Sequence, residues 1–412
     1  MTQLIDWIWL TTLSGVSTQS QLRLLEHFGS PAAVRQADPE ELRTVEGLRR
    51  SELGALRSRD LGRAERVLED CRNMGYHILT MEDTTYPQRL QYIEGPPLVL
   101  YYVGELLPFD ELPVIAVVGA RNSSRYGQNQ AYRLGYELAG CGGTVLTGIA
   151  RGIDSRALEG ALRAGSKVAA VLGNGLDVVY PAENGKLYEA VRNHGCLISE
   201  YTPGTPPYGK NFPKRNRIMS GLALATLVVE AGERSGSLIT ANLALEQGRD
   251  VYAVPGNLEE ACCMGSNALL QDGALLATSG WDVLQNYQAR YPSLLRRFAG
   301  KTVQAPYETP PVKNRGRQGP QQEKSGQIPS NPEKRIDNAE KTNYIDLQQV
   351  SESLSQEEKT VAGLLQDGKM HVDELIAESE LPAAKVLSVL TMLEVKGYVT
   401  RHSGSFFTSN LT

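Results

Sequence analysis

A short basic stretch carries the side chains with the clearest chemistry in this chain. Four cations, Lys210, Lys214, Arg215 and Arg217, lie in a stretch without Asp or Glu, although the formal net charge of the protein is −5 at pH 7. Phe212 lies among them. Cations that follow a phosphate backbone, together with a ring that stacks on a base, are the combination that binds single-stranded nucleic acid. The stretch therefore predicts an anion-binding site, with a polynucleotide as a candidate ligand.

Pro213 indicates how this stretch is built. Proline fits best in the first turn of a helix, where its missing N–H would have had no intrahelical partner. We therefore expect a helix to begin near Phe212, with its free amide groups and the positive end of its dipole facing the cations. An alternative stays open, in which the two arginines of the stretch pair with carboxylates such as Glu200 and Glu230.

Six short apolar runs predict the elements that position this stretch. They are rich in β-branched residues and are separated by segments of helical character, which is typical of a parallel sheet buried on both faces. We expect an α/β, Rossmann-like, doubly wound and mostly parallel domain over 113–285. The runs are Val114–Val118, Thr144–Thr147, Val168–Leu172, Cys196–Ser199, Thr226–Val229 and Val251–Val254.

Glycine-rich polar loops follow the first three runs, at Gly119–Gly127, Gly148–Asp154 and Gly173–Asp177. Ligands of such sheets bind beyond the carboxyl ends of the strands, so we expect Arg121, Arg151 and the basic stretch to face one common anion. The loops contain neither the G-x-G-x-x-G spacing of dinucleotide sites nor a G-x-x-x-x-G-K-[ST] phosphate loop. This disfavours an enzyme that uses NAD or ATP.

The segments before the predicted sheet are helical and then irregular. Residues 1–72 predict a domain of short helices, with starts at Ser30 and at the capping box opened by Asp38, and with a helix-hairpin-helix or SAM-like turn at Gly47. Such a turn can aim amides at a phosphate, and a bundle that contacts proteins is the equally open alternative. Residues 73–112 are interpreted as a connecting region that leads into the core. Strand candidates within it are 76–80 and 98–103.

Two further regions follow the predicted sheet. Residues 286–345 are rich in Gln, Asn, Pro and charged groups, so we expect a flexible linker. Residues 346–412 predict three helices and a two-stranded ribbon turning at Ser403–Gly404, a winged-helix layout. The expected helices are 356–367, 372–379 and 382–396. The cations of the third helix and the ribbon are Lys385, Lys396 and Arg401. These are few for a reader of duplex DNA, so contact with protein stays open beside contact with DNA.

Composition removes several classes of function. A chain of 412 residues is expected to hold two or three domains. The five cysteines include no C-x-x-C pair and the five histidines match no H-E-x-x-H spacing, so we expect neither a disulfide framework nor a metal site. We find no signal-like segment and no apolar run near the ~18 residues of a membrane span. A cytoplasmic protein without membrane contact is expected.

A series of motifs runs in order along 75–280. The motifs are Val118–Arg121 with Ser124–Gly127, Thr147–Asp154, Val171–Asp177 with Tyr180–Pro181, Ile198–Tyr201, Phe212–Arg217, Glu230–Ala231 with Ser235–Thr240, and Ala253–Gly256. As a set they resemble the DNA-processing protein A family, also called DprA or Smf, of bacterial natural transformation. The flanking helical and winged-helix domains resemble those of longer family members, which is a less specific match.

The resemblance implies a protein that binds and protects incoming single-stranded DNA and loads the RecA recombinase onto it. It implies a homodimer formed through the Rossmann-like domain, with single-strand-binding protein as a further partner. It implies no catalytic reaction, catalytic residue, cofactor or metal. The candidate DNA-binding residues are Arg121, Ser123, Ser124, Lys167, Lys210, Asn211, Phe212, Lys214, Arg215 and Arg217.

Two positions depart from the family pattern. Leu158 stands where the family commonly has His, so a role of that His does not carry over to this chain. Lys214 replaces a frequent Arg, which keeps the charge and loses the planar guanidinium.

Two alternative functions remain open. One is a Rossmann-like enzyme of phosphoribohydrolase type that cleaves nucleoside monophosphates, with Glu200, Glu230 or Asp154 as a catalytic carboxylate. The P-G-G-x-G-T-x-x-E signature of that group is missing, since Pro255–Gly256 is followed by Asn-Leu-Glu-Glu. The other alternative makes the outer domains pure protein-binding modules.

Overall fold

The computed structural model describes residues 2–297, 355–365, 368, 370–379, 381–396, 398–402 and 406–409. The chain divides into two compact units, residues 1–313 and 314–412. The helices within 2–297 are α1 (Thr2–Thr12), α2 (Thr18–Phe28), α3 (Pro31–Gln36), α4 (Pro39–Thr44), α5 (Arg50–Leu56), α6 (Gly62–Met74), α7 (Gln88–Gln91), α8 (Arg125–Gly140), α9 (Ile153–Arg163), α10 (Gly185–Asn193), α11 (Asn211–Leu222), α12 (Gly236–Glu246), α13 (Met264–Gln271) and α14 (Gly280–Leu284). The strands are β1 (His77–Thr80), β2 (Val99–Gly104), β3 (Val114–Val118), β4 (Thr144–Thr147), β5 (Val168–Leu172), β6 (Gly195–Ser199), β7 (Ala225–Val228), β8 (Asp250–Ala253) and β9 (Leu275–Leu276).

One sheet organises the first unit. Within residues 2–297 the strand order is β1-β2-β6-β5-β4-β3-β7-β8-β9. All neighbours from β6 to β9 are parallel, and Ile115 of β3 pairs with Val145 of β4 on one side and Ala225 of β7 on the other. The predicted mostly parallel α/β sheet is confirmed, and each of the six predicted strands lies within one residue of its observed position. Helices connect the successive parallel strands from β3 to β9, as expected from the alternation of apolar and helical segments.

Both faces of the sheet are covered, because successive side chains of a strand point to opposite faces. Ile115 and Val117 belong to the core formed with α8, α9 and α10. Val114, Ala116 and Val118 belong to the core formed with α11 and α12. A strand that buries every side chain therefore reads as a continuous apolar run rather than as an alternating one.

Residues 73–112 contribute to the sheet. β1 and β2 pair antiparallel with each other, and β2 pairs antiparallel with β6, so these strands extend the sheet at one edge. The preceding helices pack on the same face as α8 and α9, since Trp7, Trp9 and Leu24 share a core with Tyr101 of β2. The predicted helix starts are observed: Ser30 caps α3, and the Asp38 N–H donates to Glu41 Oε2 at 2.9 Å in the capping box of α4.

The packed part of the first unit continues beyond residue 286, where the linker was predicted to begin. Tyr291 and Leu295 are buried, and Arg89 Nη2 donates to the Tyr291 hydroxyl oxygen at 2.5 Å. The apolar side chains of this short segment cover the core, although its neighbours are polar. The rest of the predicted linker, 298–345, lies outside the described residues.

The second unit has its own core, which includes Val361, Leu375, Val386, Leu390 and Phe407. Its described helices and strands are α15 (Gln356–Leu364), β10 (Met370–His371), α16 (Val372–Glu378), α17 (Ala383–Val395), β11 (Val399–His402) and β12 (Phe406–Ser409). The three predicted helices and the ribbon are therefore observed, and β10 adds a short third strand to the ribbon. The predicted turn at Ser403–Gly404 lies outside the described residues. None of the described helices combines the length and the apolar character that a membrane span requires.

Candidate nucleic-acid interface

A cleft of about 930 Å³ opens beyond the carboxyl ends of β3 and β7. Between these two adjacent strands the order of the sheet reverses, since β4, β5 and β6 lie on one side of β3 and β8 lies beyond β7. Such a topological switch point is where ligands of doubly wound sheets bind. We call this space the cleft. Its lining includes Gly119, Ala120, Arg121, Asn122, Tyr180, Phe212, Pro213, Arg215, Arg234, Ser235 and Cys262.

The turn after β3 is held tightly against its neighbours. A Cβ atom at Gly119 would lie 2.5 Å from Ile153 Cγ1 and 2.9 Å from the carbonyl oxygen of Glu230, so only glycine fits there. The Ala120 N–H donates to the same carbonyl at 2.7 Å. The close contact fixes the direction in which the next residue, Arg121, enters the cleft.

Arg121 and Phe212 meet at the wall of the cleft. The exposed guanidinium of Arg121 lies 5.1 Å from the centroid of the half-buried Phe212 ring, which is a cation–π distance. The ring of Tyr180 lies 5.6 Å from the same ring. On another side, a Cβ atom at Gly173 would lie 2.8 Å from Phe212 Cδ1, so the glycine makes room for the aromatic side chain. The turn after β3 and the basic stretch therefore share one edge of the sheet.

Exposed cations surround this aromatic wall. Lys210 and Lys214 are exposed at the start of α11, and Lys210 Nζ lies 5.8 Å from the ring of Tyr208. Arg234 is exposed and lines the cleft from the loop before α12. Sequence reasoning missed Arg234, although it directly precedes the Ser235 motif and Ser235 caps α12. The signal available in the sequence was its position directly before a helix cap, in the loop that follows a predicted strand.

Arg215 lies beneath this surface rather than on it. It is 5 % exposed, and its guanidinium donates to the carbonyl oxygens of Gly148, at 3.0 Å, and Val171. Burial lowers the pKa of Arg215 to about 10, and the charge of Asp154 opposes that change. The group stays charged at neutral pH and ties the ends of β4 and β5 to α11.

Asp154 is a buried acidic residue that interacts electrostatically with Arg215. It accepts hydrogen bonds from the backbone N–H groups of Gly148 at 3.0 Å and Ala150 at 3.4 Å. Burial raises the pKa of the Asp154 carboxyl, while Arg215 and the two N–H groups act in the opposite direction. The carboxylate therefore orders the loop after β4, which is a positioning role.

Arg217 pairs with a carboxylate, which is the alternative to anion binding that the sequence left open. Its Nη2 lies 2.5 Å from Glu200 Oε1, and both side chains are less than one fifth exposed. Arg215 is not paired with Glu230. The Glu230 carboxylate instead accepts the Ser124 N–H at 2.7 Å and the Ser124 hydroxyl.

The remaining predicted residues divide between the cleft and other places. Ser123 lies in the turn after β3, and the Ser124 side chain caps α8 while its backbone N–H is bonded to Glu230. Asn211 is buried, and its Nδ2 donates to the Gly173 carbonyl at 3.0 Å. Lys167 directly precedes β5, so it lies at the amino ends of the parallel strands, away from the cleft. It pairs with Glu105. The structure thus brings all of these residues except Lys167 to one edge.

The basic helix begins at Asn211, one residue before the predicted start, and Pro213 is its third residue rather than its first. The Asn211 N–H is already bonded to the carbonyl oxygen of Tyr208 at 2.9 Å. Proline has no N–H to offer. We therefore expect anion binding at the cleft to depend more on cationic side chains than on free amide groups of this helix.

The second unit presents its cations differently. Lys385 Nζ lies 3.0 Å from Glu357 Oε2, and Lys396 Nζ lies 2.6 Å from Glu358 Oε1. The pKa of the Glu358 carboxyl is lowered by the Lys396 hydrogen bond and by the Ser355 N–H. The Arg401 side chain lies outside the part of this unit that the structure describes.

Two family models match the chain. The model described as DNA recombination-mediator protein A covers residues 77–288, and the model described as the DprA winged helix domain covers 346–405. The first model takes in β1 and β2 together with the sheet, the cleft and the basic stretch.

Relatives match the chain along different lengths. Protein Smf of Synechocystis sp. is 30 % identical over 97 % of this chain and 96 % of its own length. DNA processing protein DprA of Streptococcus pneumoniae is 42 % identical over 50 % of this chain and 72 % of its own length. The crystal structure of DNA processing protein A from Streptococcus pneumoniae superimposes with a TM-score of 0.61 at 34 % identity, over 68 % of this chain and 97 % of that chain.

Proposed function

The chain belongs to the DNA recombination-mediator protein A family, also named DprA or Smf, and from that premise we propose that it is a non-enzymatic mediator that binds single-stranded DNA in the cleft. It protects incoming DNA and loads RecA recombinase onto it in the cytoplasm during natural transformation or related DNA processing. The single observation that carries the proposal is the contact between Arg121 and Phe212, which joins a cation and an aromatic face at one wall of an open groove.

The side chains act on different parts of the DNA strand. Arg121, Lys210 and Lys214 bind successive phosphates, and Arg234 extends the same path. A base stacks on Phe212, where Arg121 now rests, and Arg121 turns to the adjacent phosphate. None of these contacts reads a base edge, so binding does not depend on sequence.

The buried members of the predicted site support this surface from below. Arg215 holds the ends of β4 and β5 against α11, and Asn211 holds the start of α11 against the loop after β5. Arg217 is neutralised by Glu200. Their contribution to DNA binding is to keep Phe212 and the exposed cations in place.

Salt dependence tests the proposal most directly. Each phosphate contact with single-stranded DNA contributes about 0.7 to the slope of log affinity against log salt, so the pair Arg121→Ala and Lys210→Ala should make the slope shallower by about 1.4. Affinity at fixed salt should fall by roughly tenfold per contact, since hydrogen bonds to charged groups contribute about 1.5 kcal/mol or more. Fluorescence anisotropy with single-stranded and duplex oligonucleotides measures both quantities.

A matched control is Arg163→Ala. Arg163 is exposed in the last residue of α9, at the edge of the sheet opposite the cleft. It should leave the slope unchanged. An unaltered slope in the Arg121 and Lys210 double variant, or an equal change in the control, would remove the cleft as the binding site.

RecA loading is tested on DNA covered by single-strand-binding protein. We expect the wild-type protein to restore ATP hydrolysis by RecA on such DNA, and the Arg121 and Lys210 double variant to fail. A double variant that binds DNA poorly and still restores hydrolysis would separate loading from the cleft.

The proposed homodimer has a candidate surface at the end of the sheet. Leu275 and Leu276 of β9 are 43 % and 55 % exposed, and this strand is at the edge of the sheet. Unpaired edge strands with apolar side chains favour association. Sedimentation should show a dimer for the wild type and a monomer for Leu276→Glu, and an unchanged dimer would exclude this edge.

No observation favours cleavage of nucleoside monophosphates. Glu200, Glu230 and Asp154, the carboxylates considered for that reaction, are engaged by Arg217, by Ser124 and by loop amides. Base release from adenosine monophosphate that disappears in Glu230→Gln would support the enzyme instead of the mediator.

A further inference from the structure

One group of metal-ligand side chains lies beside the cleft and plays no part in the proposed function. The Sγ atoms of Cys262 and Cys263 and a carboxylate oxygen of Glu230 lie within 4.8 Å of one another. Cys262 is half-buried and lines the cleft, while Cys263 is 3 % and Glu230 1 % exposed. The group joins the end of β7 to the turn that precedes α13.

The spacing of the two sulfur atoms fits one metal ion. The Cys262 and Cys263 Sγ atoms are 3.9 Å apart. In a tetrahedral zinc site with Zn–S bonds of about 2.3 Å, two thiolate ligands are separated by about 3.8 Å. The two thiols can therefore share an ion with almost no movement relative to each other.

The third ligand is held ready by its neighbours. Glu230 accepts the Ser124 N–H at 2.7 Å and the Ser124 hydroxyl, which fixes the plane of its carboxylate. Each carboxylate oxygen keeps a second lone pair for a metal. Hydrogen bonds of this kind orient the ligands of known metal sites.

The turn that carries the cysteines is also fixed. A Cβ atom at Gly256 would collide with Cys263 Sγ, so glycine at this position leaves space for the sulfur. The Gly256 N–H donates to Asn267 Oδ1 at 3.0 Å, which ties the turn to α13. The thiols are therefore presented by ordered backbone.

We propose that Cys262, Cys263 and Glu230 form a site for one zinc ion or a similar thiophilic divalent ion, with its fourth position open to water from the cleft. Binding converts two thiols, one carboxylate and the aqua ion into a dithiolate–carboxylate complex and releases two protons. The net charge of the group stays at −1, because two protons are exchanged for one divalent ion. No electron transfer is involved.

The ion would join three segments beside the cleft. Glu230 lies two residues beyond β7, its carboxylate and carbonyl oxygens accept hydrogen bonds from the turn after β3, and the cysteines belong to the turn before α13. An ion that binds only the folded chain raises the free energy of unfolding by an amount that grows with the logarithm of its concentration divided by its Kd. The first unit should therefore unfold at a higher temperature with zinc than without it.

Cobalt titration of the full chain tests the site. The protein is kept reduced with a phosphine, without free thiols, and Co²⁺ is added alone. We expect one Co²⁺ per chain, a sulfur-to-cobalt charge-transfer band, the visible bands of tetrahedral cobalt and two protons released per ion. Zn²⁺ should remove these bands, because it binds such sites more tightly.

Variants locate the site. Cys262→Ala and Cys263→Ala should each abolish the charge-transfer band and the stabilisation by zinc, whereas Cys71→Ala, which removes a buried thiol elsewhere, should change neither. Absence of the band in the wild-type protein overturns the proposal, whatever the variants do. So does a band that persists in Cys262→Ala, or binding of one ion between two chains. DNA affinity does not enter the test, so the metal site and the proposed function fail independently.

Discussion

Lysines lie both next to the cleft and in the winged-helix unit, but they differ in whether a carboxylate pairs with them. Next to the cleft, Lys210 and Lys214 are exposed, and Lys210 Nζ lies 5.8 Å from the centroid of the Tyr208 ring. In the winged-helix unit, Lys385 and Lys396 are held by Glu357 and Glu358. A paired lysine offers less to a phosphate, since the carboxylate must first be displaced. We therefore expect the pairing of each cation, rather than the number of cations, to decide which of the two regions binds DNA.

A second contrast runs through a single helix. Lys214 and Arg215 are neighbours in α11, yet Lys214 is exposed and Arg215 is 5 % exposed. The helix turns by about 100° per residue, so adjacent cations face different environments. One meets solvent at the cleft, and the other meets carbonyl oxygens beneath it.

The largest expected effect is on stability, from Arg215→Met. The change leaves the carbonyl oxygens of Gly148 and Val171 and the carboxylate of Asp154 without their buried cation. Removing one member of a buried charged group costs about 3–5 kcal/mol in the free energy of unfolding. Urea unfolding followed by tryptophan fluorescence measures it, since Trp7, Trp9 and Trp281 all belong to the first unit.

Lys214→Met is the matched control for this experiment, because it removes the adjacent but exposed cation. It should change the unfolding free energy by about 0.5 kcal/mol or less. Equal effects of the two variants would mean that the buried and exposed cations of α11 are not energetically distinct.

The next effect in size is on DNA affinity, from Phe212→Leu. Loss of one stacked base should weaken binding to single-stranded DNA by about 1–3 kcal/mol while the salt slope stays unchanged. Anisotropy at several salt concentrations separates the two quantities. Tyr92→Leu, which removes an aromatic ring that is 84 % exposed, serves as control. A shallower slope in Phe212→Leu would show that the ring acts by positioning the cations rather than by stacking.

Local patterns predicted the sheet, and the approach of the turn after β3 to the basic stretch, well. Val114–Val118 and Val168–Leu172 form strands at the predicted residues, because continuous apolar runs have few alternatives in a two-sided sheet. The loops after parallel strands must meet at one edge, so the approach of Arg121 to the basic stretch followed from topology alone. The role of these residues in DNA binding stays a prediction.

Which cations are exposed, and which are buried or paired with carboxylates, was harder to predict. Arg215, Ile218, Met219 and Leu222 recur at helical spacing and are all buried, so the periodicity of α11 carried a signal that the charge of Arg215 concealed. The partners of Lys167, Lys385 and Lys396 come from segments distant in sequence. Such pairings depend on the tertiary arrangement and leave no local pattern.

A smaller effect is expected in the titration of Glu358. The Lys396 hydrogen bond and the Ser355 N–H lower the pKa of its carboxyl from the ordinary value of 4.5. A depressed pKa in the folded state adds stability above the unfolded value, and this contribution is lost as the pH falls through the folded value. Carbon NMR of the Glu358 carboxyl should give a midpoint below 4.5 that rises toward it in Lys396→Met.

Lys385→Met is the control for that titration, because Lys385 pairs with Glu357 instead. It should leave the midpoint of Glu358 where it was. A midpoint that is insensitive to Lys396→Met would mean that this lysine is not committed to Glu358 and is available to other anions.

The smallest expected effect is the one on which the comparison of the two regions depends. The double variant Lys385→Ala and Lys396→Ala should change affinity for single-stranded DNA by about twofold or less, because a phosphate contact would only replace one surface ion pair, worth roughly 0–1 kcal/mol, by another. Lys167→Ala, which breaks the pair with Glu105, should behave in the same way. Both are measured by anisotropy beside the Arg121 and Lys210 double variant.

A salt slope that becomes shallower by about 0.7 or more in the winged-helix variant would mean that this unit contributes a phosphate contact. Pairing with carboxylates would then not distinguish the two regions, and the winged-helix unit would be a second DNA surface.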